Sequence, residues 1–104
     1  MNFTITTNFK TLNEAVENLP FARVYQSPMQ RENFFNISVS SDKGGDYQAL
    51  KKLVEMAKAE GFKQDNYFEN SGLFGDYSYT AVMYVDGGKT VDCSYDQNRV
   101  YIKD

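Results

Sequence analysis

The sequence predicts an α+β fold in a single domain over residues 1–104: a twisted, mostly antiparallel sheet with two helices on one face. Three observations lead there. Residues 44–62 hold apolar side chains at helical spacing between two capping signals. Residues 2–7, 35–39 and 77–103 alternate apolar with polar positions, the period of two that suits strands. Clusters of Gly, Asp and Asn separate these segments, and a chain of 104 residues is one domain by size.

At the start, Phe3 and Ile5 alternate with Thr4 and Thr6, giving a half-buried strand. Thr11 and Glu14 have the spacing of a capping box, so a short helix follows, with Leu12, Ala15, Val16 and Leu19 on its narrow apolar face. Pro20 ends it by disfavouring helical geometry at Leu19. Residues 21–26 are β-rich and apolar on both faces, as in an interior strand, and residues 27–33 form a polar turn around Pro28. Phe35, Ile37 and Val39 against Asn36, Ser38 and Ser40 give the cleanest alternation in the chain. A flexible glycine-bearing loop, residues 41–45, then feeds the main helix. There Tyr47, Leu50, Leu53, Val54 and Ala57 share one stripe, while Gln48, Lys51, Lys52, Glu55 and Lys58 face the other way. Asp46 is placed to cap its first turn, and Gly61 to end it in the left-handed conformation with Phe62 folding back onto the last turn.

Residues 63–76 show no period. Asn66, Asn70, Ser71, Gly72 and Gly75 lie among Tyr67, Phe68, Leu73 and Phe74, so they read as a long loop with at most a short strand around Tyr67. Residues 77–85 read as a long strand. Asp86-Gly87-Gly88-Lys89 signals a hairpin, with glycine at both turn positions that need positive φ. Val91, Cys93 and Tyr95 alternate inward on the return strand. After a turn at residues 96–98, Val100 and Ile102 alternate with Arg99, Tyr101 and Lys103. The first six elements follow the split βαβ, or ferredoxin-like (βαββαβ), order, and a C-terminal β-meander closes the chain.

Composition limits the classes of function. An apolar content of 41% suits a folded core, and no apolar run approaches the length of a membrane span. Residues 1–4 lack the basic and apolar regions of a secretory signal, so a cytoplasmic protein is expected. The chain has no histidine, which removes the commonest general base and metal ligand. Cys93 is the one cysteine; it has no internal disulfide partner and points to the core face by alternation. The Asp42–Asp46 loop lacks the spacing of a phosphate cradle, and its acids are too few for a calcium loop. No catalytic residue, cofactor or metal site is predicted.

Charge and aromatic content are distributed unevenly. The net charge is −3, but residues 64–98 carry six acids against one base, a net −5. The strands after residue 76 hold Tyr77, Tyr79, Tyr84, Tyr95 and Tyr101 on both of their faces. Tyrosine offers large contact area with little entropy to lose, and carboxylates steer association with basic surfaces. Asp65, Tyr67, Glu69, Phe74, Asp76, Tyr84, Asp86, Asp92, Asp96 and Tyr101 are therefore the candidate partner-binding residues.

The function expected is that of a small, acidic, non-enzymatic protein-binding module. Its partner is a basic protein, and the most natural basic sites are those that hold nucleic acid, so an inhibitor or decoy is the concrete form. Direct nucleic-acid binding is disfavoured by the acidic field. In size, mild acidity and lack of catalytic residues the chain is similar to small counter-defence proteins encoded by phages, a resemblance that implies action in the host cytoplasm. Two alternatives stand beside it: a small-ligand or catalytic domain with a pocket under residues 64–76, and a homodimer paired through an exposed edge or tyrosine face. The helical stripe makes its own prediction. Leu53→Ala should cost about 2–5 kcal/mol in urea unfolding and Lys52→Ala almost nothing; equal losses would contradict the assigned faces.

Overall fold

The computed structural model describes residues 9–72, 77–94 and 97–103; the strand expected over residues 2–7 lies outside them. In chain order the elements are α1 (Leu12–Asn18), β1 (Ala22–Tyr25), β2 (Phe34–Ser40), a single 3-10 turn (Ser41–Lys43), α2 (Tyr47–Ala59), β3 (Lys63–Ser71), β4 (Tyr77–Tyr84), β5 (Thr90–Ser94) and β6 (Arg99–Lys103). Four strands form one antiparallel sheet in the order β1-β2-β4-β3, while β5 and β6 form a separate two-stranded ribbon. The α+β class with mostly antiparallel sheet is as the sequence predicts.

The connectivity departs from the expected one. β4 lies between β2 and β3 and runs antiparallel to both, so β2 and β3 are parallel and joined through α2. That is one split β-α-β unit; the full ferredoxin-like order is not seen among the described residues. The C-terminal meander does not form either, because β4 belongs to the large sheet and β5 to the ribbon. Lys89 N–H donates to the Asp86 carbonyl at 3.3 Å, so the glycine pair does make a turn. Of its two glycines, Gly88 adopts positive φ. The turn carries the chain from one sheet to the other. Val85 and Val91 N–H donate to the carbonyls of Asn33 and Glu32, which draws that crossing over the loop before β2.

Local signals hold where they were strongest. Thr11 Oγ1 accepts from Glu14 N–H at 3.1 Å, and Asp46 Oδ1 from Ala49 N–H at 2.8 Å. At the end of α2, Phe62 N–H donates to Ala57 O and Gly61 N–H to Lys58 O, the paired bonds of a Schellman motif, with Gly61 at φ 103°. Phe62 is buried edge-on against Phe35. The buried stripe of α2 is Ala49, Leu50, Leu53, Val54 and Ala57; Tyr47 sits at its exposed end.

That stripe lies on the inward face of the sheet, where Val24, Ile37 and Ala81 stand in register across three strands, flanked by Ala22, Phe35, Val39 and Met83. α1 adds Leu12, Ala15 and Val16, and the ribbon adds Val91 and Val100 to the same core. Each large apolar side chain so buried contributes about 1.5–3 kcal/mol relative to exposure. β1 is an edge strand, not the interior strand expected: Ala22 and Val24 face the core and Arg23 faces out. Among the described residues no helix is long and apolar enough to cross a membrane.

The loop before α2 is not loose. Gly45 N–H donates to Ser40 O at 2.9 Å, and a Cβ on Gly45 would lie 2.9 Å from that oxygen and 3.0 Å from both Phe21 Cδ1 and Val39 Cβ. Backbone and core both occupy the space a side chain needs. Gly45→Ala should therefore destabilise the fold by about 1–3 kcal/mol in urea unfolding, whereas Gly87→Ala, with open space around it, should be near neutral. A neutral Gly45→Ala would contradict this packing.

Candidate functional site

The two edges of the large sheet are treated differently. β1 is closed by a side chain: Asn98 Oδ1 accepts from Val24 N–H at 2.6 Å, and Asn98 Nδ2 donates to Ala22 O at 3.2 Å. The carboxamide thus replaces a neighbouring strand, and it does so from φ 55°, a conformation asparagine tolerates better than most residues. The ribbon that carries Asn98 is tied to α1 in the same way. Asn13 Nδ2 donates to Val100 O, and Asn13 Oδ1 accepts from Val100 N–H, both at 2.9 Å.

β3 forms the opposite edge, and among the described residues no strand pairs with its outer side. The segment expected as an irregular loop is in fact a nine-residue strand, exposed at every position but Tyr67. Its polar residues fall on both faces, so the alternation that marks a half-buried strand is missing from the sequence. Among the described residues, β4 is the one strand it pairs with. A bulge between Gln64 and Asn66 leaves Asp65 out of the ladder, which blunts one end of the edge.

The candidate residues separate into three groups. Asp65, Tyr67 and Glu69 lie on β3. The Tyr67 hydroxyl donates to Glu69 Oε1 at 2.6 Å, and its ring packs edge-on to Tyr47 at 5.4 Å. Partial burial and that bond hold the Tyr67 phenol above its ordinary pKa, so it stays a neutral donor. Tyr79 and Tyr77 continue the ring cluster on the same face of β4. Tyr84 and Asp86 form a second group at the end of β4: Tyr84 stacks on Phe34, on the sheet face away from the helices, and Asp86 accepts from Lys63 Nζ at 2.7 Å. Asp92 and Tyr101 form a third, directly opposite each other in the ribbon. Asp92 lies 4.0 Å from Lys103 Nζ, and the Tyr101 hydroxyl accepts from Arg99, which also pairs with Glu17. Phe74, Asp76 and Asp96 lie outside the described residues.

The acids at Asp86 and Asp92 therefore sit beside lysines, and their outward field is reduced. On β3, Asp65 and Glu69 keep exposed carboxylates. The sequence reading did not single out Tyr47, assigned to the buried stripe but 43% exposed, or Phe68, which is 39% exposed. Phe68 lies opposite Thr80, on the face away from the helices.

Clefts among the described residues include the following. One of about 430 Å³ lies between α1, the end of α2 and β6, with Glu14, Glu17, Glu60 and Arg99 in its wall. A second, about 390 Å³, lies on the outward face of the sheet over Ser38, Ser40, Ser78 and Thr80. A third, beside the part of residues 64–76 that is described, is a groove of about 250 Å³ between α2 and β3, bounded by Tyr47, Lys51, Gln64 and Tyr67. It is smaller than the usual range for small-molecule sites, about 300–1,000 Å³. Among the described residues no three His, Cys, Asp or Glu side chains converge to hold a metal ion.

The fold and its exposed edge define an α+β protein with one sheet edge open among the described residues. No protein-family model, curated protein sequence or solved structure matches this chain. Cys93 packs partly against the core, and burial, then the Asp92 charge, push its thiol up to about 11. Because the thiolate is the reactive form, alkylation by iodoacetamide at mildly alkaline pH should run at least about tenfold slower in the native protein than in urea. Equal rates would contradict the burial.

Proposed function

We propose that this chain is a non-enzymatic protein-binding module whose docking surface is β3 with its flanking rings, and whose partner is basic. The observation that carries the proposal is a nine-residue strand at the sheet edge, exposed at all but one position, while the opposite edge is closed by Asn98. An open edge offers unpaired N–H and C=O groups to an incoming chain, and alternate side chains set its specificity. Here those side chains are Asp65 and Glu69, which favour a partner rich in Lys and Arg, with Tyr47, Tyr67 and Phe68 as contact area.

A protein surface that otherwise receives a phosphate backbone has this basic chemistry, so occupation of such a site, as an inhibitor or decoy does, is the specific form of the proposal. Phage origin and a cytoplasmic setting belong to the same proposal and rest on composition. Association with poly-L-lysine and with partners captured from a lysate should weaken steeply with salt. Reversing Asp65 and Glu69 together, as Asp65→Lys with Glu69→Lys, should slow association about tenfold or more at low salt. Salt-independent binding, or an unchanged rate in the double variant, would overturn the proposal.

A further inference from the structure

The outer edge of β3 is self-complementary, and we infer that its occupant in the free protein is the β3 of a second copy, paired antiparallel about a two-fold axis normal to the sheet. Such an axis places one residue opposite its own copy, and every other pair follows from that choice. Centred on Tyr67, the pairing sets Asp65 against Glu69 twice, and centred on Glu69 it sets two carboxylates face to face; both juxtapose like charges. Centring at or before Asn66 draws the bulge between Gln64 and Asn66 into the ladder. Centred on Phe68, the segment Asn66-Tyr67-Phe68-Glu69-Asn70 reads as its own complement. Phe68 meets Phe68, each Tyr67 meets a Glu69, and each Asn66 meets an Asn70, with no like charges opposed.

The side chains are already arranged for this register. Phe68 is 39% exposed on the face away from the helices, and its copy would bury more of that ring. On the helix side Tyr67 already donates to Glu69 two residues along, and in the dimer the same hydroxyl and carboxylate stand directly opposite across the axis. The bulge and Lys63 remain beyond the paired segment, so the blunted end of the edge does not obstruct it. The product is a continuous eight-stranded sheet, with Asp65, Tyr67 and Glu69 of both copies on or beside one side of it. The pairing takes up the same edge groups that the protein-binding proposal offers to a basic partner, so such a partner would compete with the second copy; the pairing itself does not depend on that proposal.

Site-directed cross-linking tests the register. In a Cys93→Ser background, Phe68→Cys should give an intermolecular disulfide as its main oxidation product, since opposed Cα atoms in an antiparallel ladder are about 4.5–5.5 Å apart and a disulfide spans about 4.4–6.8 Å. Tyr67→Cys alone, facing Glu69 of the copy, should give several-fold less. Asn66→Cys and Asn70→Cys should cross-link efficiently when mixed and poorly alone. Sedimentation should show the mass rising from 11.9 kDa toward twice that with concentration, and Phe68→Lys should stay monomeric at every concentration while keeping its circular dichroism. A monomer throughout, or a dimer untouched by Phe68→Lys, would overturn the inference. Poly-L-lysine binding separates the two proposals. A monomer that binds it in a salt-dependent way sinks the dimer alone, and a dimer that it neither binds nor dissociates sinks the protein-binding proposal alone.

Discussion

One carboxamide determines how this sheet ends. Asn98 meets both Val24 N–H and Ala22 O, so the free edge of a four-residue strand is satisfied without another strand beside it. An unpaired buried donor costs about 1–3 kcal/mol, which is enough to make that contact decisive for a short strand. Asn98 makes these contacts from the left-handed backbone conformation, at φ 55°. Asn13 holds the other side of the ribbon to α1 through both polar groups of Val100. Ribbon, first helix and first strand are thereby joined around one core, while among the described residues no strand covers the outer side of β3.

Charge and aromatic side chains follow from the same arrangement. The acidic excess after residue 63 is real in the sequence, but among the described residues the fold divides its acids between β3 (Asp65, Glu69), the end of β4 (Asp86) and the ribbon (Asp92). Lys63 and Lys103 come from outside the segments that carry Asp86 and Asp92, and each stands beside one of them. Exposed ion pairs of this kind are worth little in stability, yet they lower the outward negative field at those two acids. Glu69 serves locally as the acceptor for Tyr67, which orients that ring against Tyr47. Of the candidate acids among the described residues, those on β3, Asp65 and Glu69, are thus the ones with no lysine beside them.

Much of the fold was legible because its signals are local. The Asp46 cap, the Gly61 and Phe62 ending and the apolar stripe of α2 each rest on residues within a few positions of one another. Strand β2 was equally plain, since Phe35, Ile37 and Val39 face a core and Asn36, Ser38 and Ser40 do not. What escaped depends on distant partners. β3 is polar on both faces because one edge and much of both surfaces meet solvent, so no period of two marks it. The glycine turn at residues 87–88 fits a hairpin locally, but Asn33 and Glu32, more than fifty residues earlier, redirect the strands around it. Nothing near Asn98 in the chain identifies Ala22 and Val24 as its partners. For the candidate site, residue types were readable from the sequence, whereas their division among three elements was set by the fold.

Native-state amide hydrogen exchange at high dilution tests the asymmetry of the two edges most directly. The amide of Val24, held by Asn98, should exchange as slowly as those of the core strands, and the outward-facing amides between Asn66 and Asn70 should exchange near the rate of an open chain. Fast exchange at Val24, or uniform protection along β3 in the dilute monomer, would contradict a sheet with one edge closed by a side chain and the other left open.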